Sequence, residues 1–463
     1  MKKVLIVLLL VLLPVLGMGA EKLGMGYFIV VANPSLKPVF EEFIKFKQEQ
    51  GFDVVIEDVS TIEKTVEGDS RGEKIRNWLK KEKTKGGYTK TFTLLVGTIR
   101  EDEEMAWERK GEVWTGGEIP MIRVEGPSVF GGSESFVTDY YYADLDLNKQ
   151  PKKVADFNNE VCNLVGRIPF SLKEVLEKYI QMLLKAEREI AQAKETPRYA
   201  FTFCAPISRL PYKGGPLGDD AVGTEKYYIP LIKKSEAYSA IYTLYQKEGK
   251  IFSSYSCTAP LTGENVVKFL PLTDVLITGG HGGVHMDVWS DTNGNGEIDF
   301  GEVKAVRYFD IKFLRGNLPA LQEKPVKFWI DEGCYTVAQA EAGWYLNSPN
   351  HLENEIELND TGAIDIDMAL RLRIVLNAIG WTGIYTDNCL DFLKTVFVEK
   401  KVIGEIINIP HNTKRDDFVC NEKGELISRP GDLLVKLCIL GDPSFGFFPD
   451  SLKNSLPKTH SQK

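Results

Sequence analysis

No basic excess marks this chain. Its 463 residues hold 56 Lys and Arg against 65 Asp and Glu, a formal net charge of −9, so the positive footprint of a nucleic-acid binder is missing. Seven cysteines (Cys162, Cys204, Cys257, Cys334, Cys389, Cys420 and Cys438) are scattered with no Cys-x-x-Cys pair, which argues against a zinc cluster and against a dense disulfide scaffold. An odd count leaves at least one thiol unpaired even in an oxidising compartment. Beyond the first twenty residues no apolar run has the length of a membrane span. No cysteine follows the N-terminal apolar stretch where a bacterial lipid anchor would need one.

That stretch, Val4 to Leu16, stands between Met1-Lys2-Lys3 and Gly17-Met18-Gly19-Ala20. Charged start, short apolar middle and small residues at the end predict a secretory signal peptide over 1–20. A retained anchor is the alternative, because a cut after Ala20 would leave Met18 at the third position before it. The mature chain is expected to be exported and soluble, without membrane contact after signal removal.

The rest is long enough, and at 43% apolar rich enough, for two or three domain-sized units. Apolar runs from Gly26, Phe52 and Thr91 alternate with helical periodicity over Pro38–Gln50 and Arg71–Lys80, the pattern of a doubly wound parallel sheet. Residues 98–135 lack periodicity and read as a loop or insertion. Ser171 and Glu174 form a capping box for a helix to about Lys194. After Thr196-Pro197 the grammar restarts: a strand at Arg198–Cys204, a helix over Glu225–Gly249, strands at Asp274–Thr278 and Lys327–Asp331, a helix over Asp365–Ala378, and strands near Gly380 and Leu433–Leu440. The expected organisation is an N-terminal α/β subdomain at 21–195, a second one at 196–450 and a polar flexible tail at 451–463.

Two strand ends carry the chemistry. Asp274-Val-Leu-Ile-Thr-Gly-Gly-His281-Gly282 and Lys327-Phe-Trp-Ile-Asp-Glu-Gly-Cys334 are buried-strand runs that each stop at a reactive side chain. Ligands of open α/β sheets bind at the carboxyl ends of strands, so His281 and Cys334 face one crevice if the strands are neighbours. A thiol beside an imidazole can perform acyl transfer: the imidazole takes the proton and the thiolate attacks a carbonyl. The flanking glycines let backbone approach a substrate, making the amides of Gly282 and Cys334 candidate oxyanion donors. Taken singly, a strand-end Cys is usually a small core residue and a lone His a satisfied polar one.

The joint pattern resembles the caspase-like cysteine peptidases of clan CD, and within them the gingipains (peptidase family C25). The matching stretches are Leu94-Leu-Val-Gly97, Thr138-Asp139-Tyr140, Val165-Gly-Arg167, Thr278-Gly-Gly-His281-Gly282, Asp331-Glu-Gly-Cys334, Thr382-Gly-Ile-Tyr-Thr-Asp387 and Leu440-Gly-Asp442-Pro-Ser444, in the family's order. The resemblance implies two caspase-like α/β subdomains side by side with mostly parallel sheets flanked by helices, the second one catalytic. It implies Cys334 as nucleophile, His281 as general base and acid, and a peptide or protein substrate. The family's glutamate before a Gly-Gly-Pro stretch has no counterpart here, where Lys213 precedes Gly214-Gly215-Pro216, so a dyad or a substitute acid is expected. The pocket aspartate of arginine-specific gingipains would fall near Thr224-Glu225. Glu225, Asp219 and Asp220 are the candidates for meeting an Arg or Lys side chain, or else they are a solvated loop and helix start. Trp381 and Trp289 are available as pocket walls or as core.

One motif stands apart. Asp291-Thr-Asn293-Gly-Asn295-Gly296-Glu297-Ile298-Asp299-Phe-Gly-Glu302 fits all twelve positions of an EF-hand calcium loop. Asp291, Asn293, Asn295, Asp299 and Glu302 offer side-chain oxygens, Glu297 a backbone carbonyl, and Gly296 the sharp turn. Ca2+ is therefore the expected cofactor, with a polar hairpin as the alternative. His285, four residues after His281, suggests a zinc pair, but no third ligand follows at a recognised spacing. The sequence reads as a secreted, calcium-stabilised cysteine endopeptidase. The alternatives are a non-catalytic relative that binds calcium and peptides or surfaces, and a calcium-dependent adhesion protein. Oligomeric state is not legible.

Overall fold

A computed structural model of the protein describes residues 24–100, 108–109, 112–113, 118–127, 133–147, 150–157, 161–209, 218–281, 285–295, 302–314, 316–333, 336–337, 366–382, 389–408 and 436–456. Its centre is one eleven-stranded sheet. In chain order the strands are β1 (Met25–Val31), β2 (Asp53–Asp58), β3 (Lys90–Val96), β4 (Asn163–Ile168), β5 (Tyr199–Ala205), β6 (Tyr238–Tyr245), β7 (Ala259–Pro260), β8 (Val275–Thr278), β9 (Phe328–Asp331), β10 (Ala378–Trp381) and β11 (Leu437–Leu440). Across the sheet they lie in the order β7-β6-β5-β8-β9-β10-β11-β4-β3-β1-β2. β1, β5, β8 and β9 are buried at every position, as the unbroken apolar runs of a sheet covered on both faces require. Helices fill the crossovers. Arg71–Gly86, for example, starts where Ser70 Oγ accepts the Glu73 N–H at 3.2 Å, and it buries Ile75, Trp78 and Leu79.

All neighbouring strands are parallel except β10 and β11. The chain thus builds two parallel halves that run in opposite directions and meet at that antiparallel seam. The fold is α/β, mostly parallel and flanked by helices, as the resemblance implied. What the sequence did not reveal is that the two sheets are continuous.

Buried charge ties together the half of the sheet on the β11 side of the seam. Arg167 on β4 donates to Asp139 through Nε at 2.8 Å and Nη2 at 2.6 Å, and to the Ile119 carbonyl through Nη1 at 3.0 Å. Nearby, the Lys47 ammonium reaches Glu187 at 2.5 Å and Asp442 at 2.6 Å, while the Tyr27 hydroxyl donates to Asp442 at 2.7 Å. All four residues are within 5% of full burial. Burial and the neighbouring Asp442 push Glu187 up to about 8. Lys47, its carboxylate partners outweighing the cost of burial, lies above the usual ammonium range; Asp442, favoured by Lys47 against the same cost, lies below the usual carboxylate range. Two stretches of the family resemblance, around Asp139–Arg167 and Asp442, are therefore structural clasps.

Several local expectations give way. The helix expected over Glu225–Gly249 ends at Ser235, where Glu236 turns left-handed (φ 57°), and Tyr238–Tyr245 is β6. Its alternating aromatic and β-branched residues suit a strand. The helix of Arg71 continues to Gly86 instead of stopping at Lys80, and the one expected over Asp365–Ala378 ends at Arg371, with Ala378 opening β10. The capping box fails: Leu172, not Ser171, is the N-cap of Lys173–Ala191, and Ser171 Oγ donates to Glu118 at 2.8 Å. Part of 98–135 is a hairpin, Ile122–Pro127 against Ser133–Thr138. Ser451–Asn454 of the expected flexible tail is a short helix with Ser451 buried. The signal stretch lies outside the described residues.

Candidate active site

β8 and β9 are adjacent, parallel and in register, with Thr278 opposite Asp331. His281 and Cys334 each stand three residues past that pair (281 − 278 and 334 − 331). Gly280 has φ 101°, a left-handed turn open to glycine, and it swings His281 out of the strand. Gly333 packs so closely that a Cβ there would come within 3.0 Å of the His281 carbonyl oxygen. Gly333 and the backbone of His281 therefore lie side by side. Cys334 and Gly282 themselves lie outside the described residues.

His281 is 43% exposed in its side chain, and its Nε2 lies 3.2 Å from Asp287 Oδ2. Asp287 sits on a hairpin that rises from the crevice, His285–Trp289 against Val303–Arg307, where it faces Ala305. Its backbone carbonyl accepts from Gln246 Nε2 at 2.8 Å. Gln246 is fully buried; its Oε1 takes the Ile207 N–H at 2.9 Å and its own N–H donates to Ala205 at 3.2 Å.

Acids and phenols cluster beneath the ends of β8 and β9. Tyr308 donates to the Gly279 carbonyl. Burial, with Cys204, Asp331, Asp220 and Glu332 around it, keeps its hydroxyl far above the usual phenol range. Tyr228, likewise raised by burial and by Glu332, donates to Glu332, which also accepts the Cys389 N–H at 2.8 Å. Burial pushes the Cys204 thiol well up, so this cysteine is a core residue.

The three pocket candidates separate. Asp220 Oδ2 would lie 2.6 Å from a Cβ at Gly279, two residues before His281, so it faces the crevice. Asp219 caps the turn that follows, accepting the Ala221 N–H at 3.0 Å. Glu225 accepts from the Tyr245 hydroxyl at 2.7 Å at the end of β6. Trp381 is a correction: it is 1% exposed, stacked on Phe392, with its indole N–H on the Asp331 carbonyl at 3.1 Å. It supports the floor from beneath and does not wall a pocket. Trp289 is buried too.

The calcium-loop candidates lie at the tip of the same hairpin. Glu302 is buried, and its Oε1 accepts from Thr292 N at 2.8 Å, Thr292 Oγ1 at 2.9 Å and Asn293 N at 2.9 Å. The two ends of the loop are drawn together, since the N–H of Ser290, just before Asp291, donates to the Glu302 carbonyl at 3.2 Å. Asn293 Oδ1 accepts the Asn295 N–H at 2.8 Å. Asp291 is nearly buried and pairs with the Lys250 ammonium, so this end of the loop already holds a cation. Glu297 and Asp299 lie outside the described residues. Among the described residues, no group of three or more His, Cys, Asp or Glu is gathered as a metal site.

Asp287, Gln246, Tyr308 and Glu332 were not picked out by sequence. Glu332 had a signal, two positions before Cys334; Asp287 had none, because it meets His281 only through the fold of the hairpin.

Residues 22–293 match the model of peptidase family C25, a window that contains His281 and ends before Cys334. No curated protein matches the sequence. Among solved structures, the chain is similar to the crystal structure of the Arg-specific cysteine proteinase gingipain R (RgpB), with TM-score 0.51 and 14% identity over 92% of this chain and 78% of that one. A complex of Porphyromonas gingivalis RgpB pro- and mature domains is also matched, with TM-score 0.47 and 15% identity over 90% and 79%. At these identities the likeness is one of fold. No helix among the described residues is long and apolar enough to cross a membrane.

Proposed function

The chain belongs to peptidase family C25, and from that premise we propose that it is a secreted cysteine endopeptidase working through Cys334 and His281. In this reading His281 takes the Cys334 thiol proton and the thiolate attacks the scissile carbonyl. The amides of Gly282 and Cys334 receive the oxyanion, His281 returns the proton to the leaving amine, and water hydrolyses the thioester. The observation that carries it is the register of β8 with β9, which gives the two residues equal offsets past one paired position.

Preference for Arg or Lys is part of the proposal, with Asp220, the acid facing Gly279 two residues before His281, as the carboxylate to meet the cation and Glu225, bonded to Tyr245, as the alternative. Calcium is proposed at the hairpin tip, held by Asp291, Asn293, Asn295, Glu297, Asp299 and Glu302. Closure of the loop's ends supports it, and calcium would displace the Lys250 ammonium from Asp291. The metal would supply charge and rigidity there and no step of the reaction.

The test is cleavage of fluorogenic peptides varied at the primary position, with calcium and a reductant, by wild type and Cys334→Ala. Cleavage after Arg or Lys that is lost in the variant supports enzyme and acidic pocket together. Cleavage after other residues keeps the enzyme and removes the pocket. A folded, processed wild type that cleaves nothing overturns the reading in favour of a non-catalytic peptide-binding relative.

A further inference from the structure

An imidazole that is 43% exposed has rotational freedom unless something holds it, and general base catalysis depends on that orientation. The stretch before Gly214-Gly215-Pro216 offers Lys213, not an acid. Asp287 offers a carboxylate at 3.2 Å from His281 Nε2. A carboxylate can only accept, so the contact is an Nε2–H donating to Asp287. The neutral ring is then the Nε2–H tautomer, and Nδ1 is the nitrogen that would exchange the proton.

Asp287 is itself fixed. Its carbonyl is bound by Gln246, which is bound in turn to Ile207 and Ala205. The strand bearing Asp287 is thereby fastened to the chain just past the ends of β5 and β6, and β5 pairs directly with β8, the strand that leads into His281. Gly249 presses on the same hairpin, where a Cβ would come within 2.7 Å of the Trp289 carbonyl oxygen. The hairpin is thus seated on the sheet close to its first strand.

We propose that Asp287 is the positioning residue for His281, and Gln246 the anchor that aims it. This deepens the peptidase reading and rests on it. Asp287 does not touch the reacting atoms; it sets the tautomer and ring angle of the group that does.

The experiment compares full-length wild type, Asp287→Asn and Asp287→Glu by kcat and KM on the best wild-type peptide, and by 15N imidazole NMR of His281, assigned with His281→Gln. Asp287→Asn keeps the shape and backbone, so melting should not change. We expect kcat to fall roughly 10- to 100-fold, at or below the bottom of the ~100- to 10,000-fold range for groups that transfer the proton themselves, with KM within about twofold. The His281 nitrogens should move from the Nε2–H pattern to a tautomer mixture, and Asp287→Glu should recover part of kcat. Unchanged kcat and an unchanged tautomer in Asp287→Asn overturn the proposal. So does a fall in kcat accompanied by lower melting and no recovery in Asp287→Glu, the pattern of a merely structural residue. A wild type inert toward every peptide overturns the peptidase reading instead, and the NMR comparison still decides the pairing on its own.

Discussion

The two halves of the sheet use the same device and finish it differently. In the N-terminal half, Arg167, Lys47 and Asp442 are buried and meet partners at hydrogen-bond distance. In the C-terminal half, His281 stands 43% exposed past the strand end, with one carboxylate at 3.2 Å. Because the halves run in opposite directions, Asp442, just past β11, and His281, just past β8, lie at opposite ends of the sheet's strands. A buried charge costs several kcal/mol unless it is paired, whereas a half-exposed one keeps its solvation and its reactivity. The first kind makes a clasp and the second makes a site.

The strongest way to break this contrast is to damage each end and compare. Lys47→Met leaves the buried Asp442 carboxylate, beside the Glu187 acid, without its cation, and we expect a loss of about 3–5 kcal/mol in denaturant unfolding. His281→Ala should leave unfolding within about 0.5 kcal/mol while abolishing peptide cleavage. Comparable stability losses in both would mean that the ends are not different in kind.

Acidity sharpens the comparison next. Glu187, raised to about 8 in the fold, holds a proton there that the unfolded chain releases near its ordinary value of about 4.3. Its contribution is fully present below the unfolded value and is lost as pH rises through the folded one, at up to about 1.4 kcal/mol per pH unit. Asp442 is lowered and works oppositely, losing its contribution only at strongly acid pH. Glu187→Gln should therefore flatten the decline in stability between about pH 4.3 and 8 and leave the acid limb in place. Equilibrium unfolding at several pH values checks this; an unchanged decline would place the titrating group elsewhere.

Arg167→Lys should cost about 1–3 kcal/mol, since one ammonium cannot reproduce two bonds to Asp139 and a third to Ile119. The smallest effect belongs to the hairpin tip. Lys250 is 51% exposed at its side chain, so Lys250→Met without calcium should change stability by under about 1 kcal/mol. It should tighten calcium binding in calorimetry, because the ammonium no longer competes for Asp291. Weaker binding would remove the competition idea, and none in either protein would remove the metal.

The sequence made legible what repeats along the chain and obscured what depends on packing. β1, β3, β5, β8 and β9 were readable as unbroken apolar runs, and His281 and Cys334 as the residues at which two such runs stop. β6 was not, since Tyr238–Tyr245 follows a helical stretch with no Gly or Pro between; the break is the left-handed Glu236. The helix start at Ser171 failed because Glu118, far away in sequence, claims its hydroxyl. Trp381 was ambiguous because an aromatic beside a strand end reads alike whether it walls a pocket or lies beneath one. Asp287 was invisible because only the folded hairpin brings it to His281.

The place of β11 has a further consequence, for the order of events during synthesis. Leu437–Leu440 is made after every other strand of the sheet, yet it lies between β10 and β4 in the middle of it. Until it leaves the ribosome, both halves carry an open edge and Asp442 has not reached Lys47. Nascent chains can fold from their N-terminus as they emerge, but here the two halves cannot be zipped together beforehand. A chain stalled short of residue 437 should therefore expose two sheet edges to its neighbours, an opening for aggregation that the last stretch of translation closes.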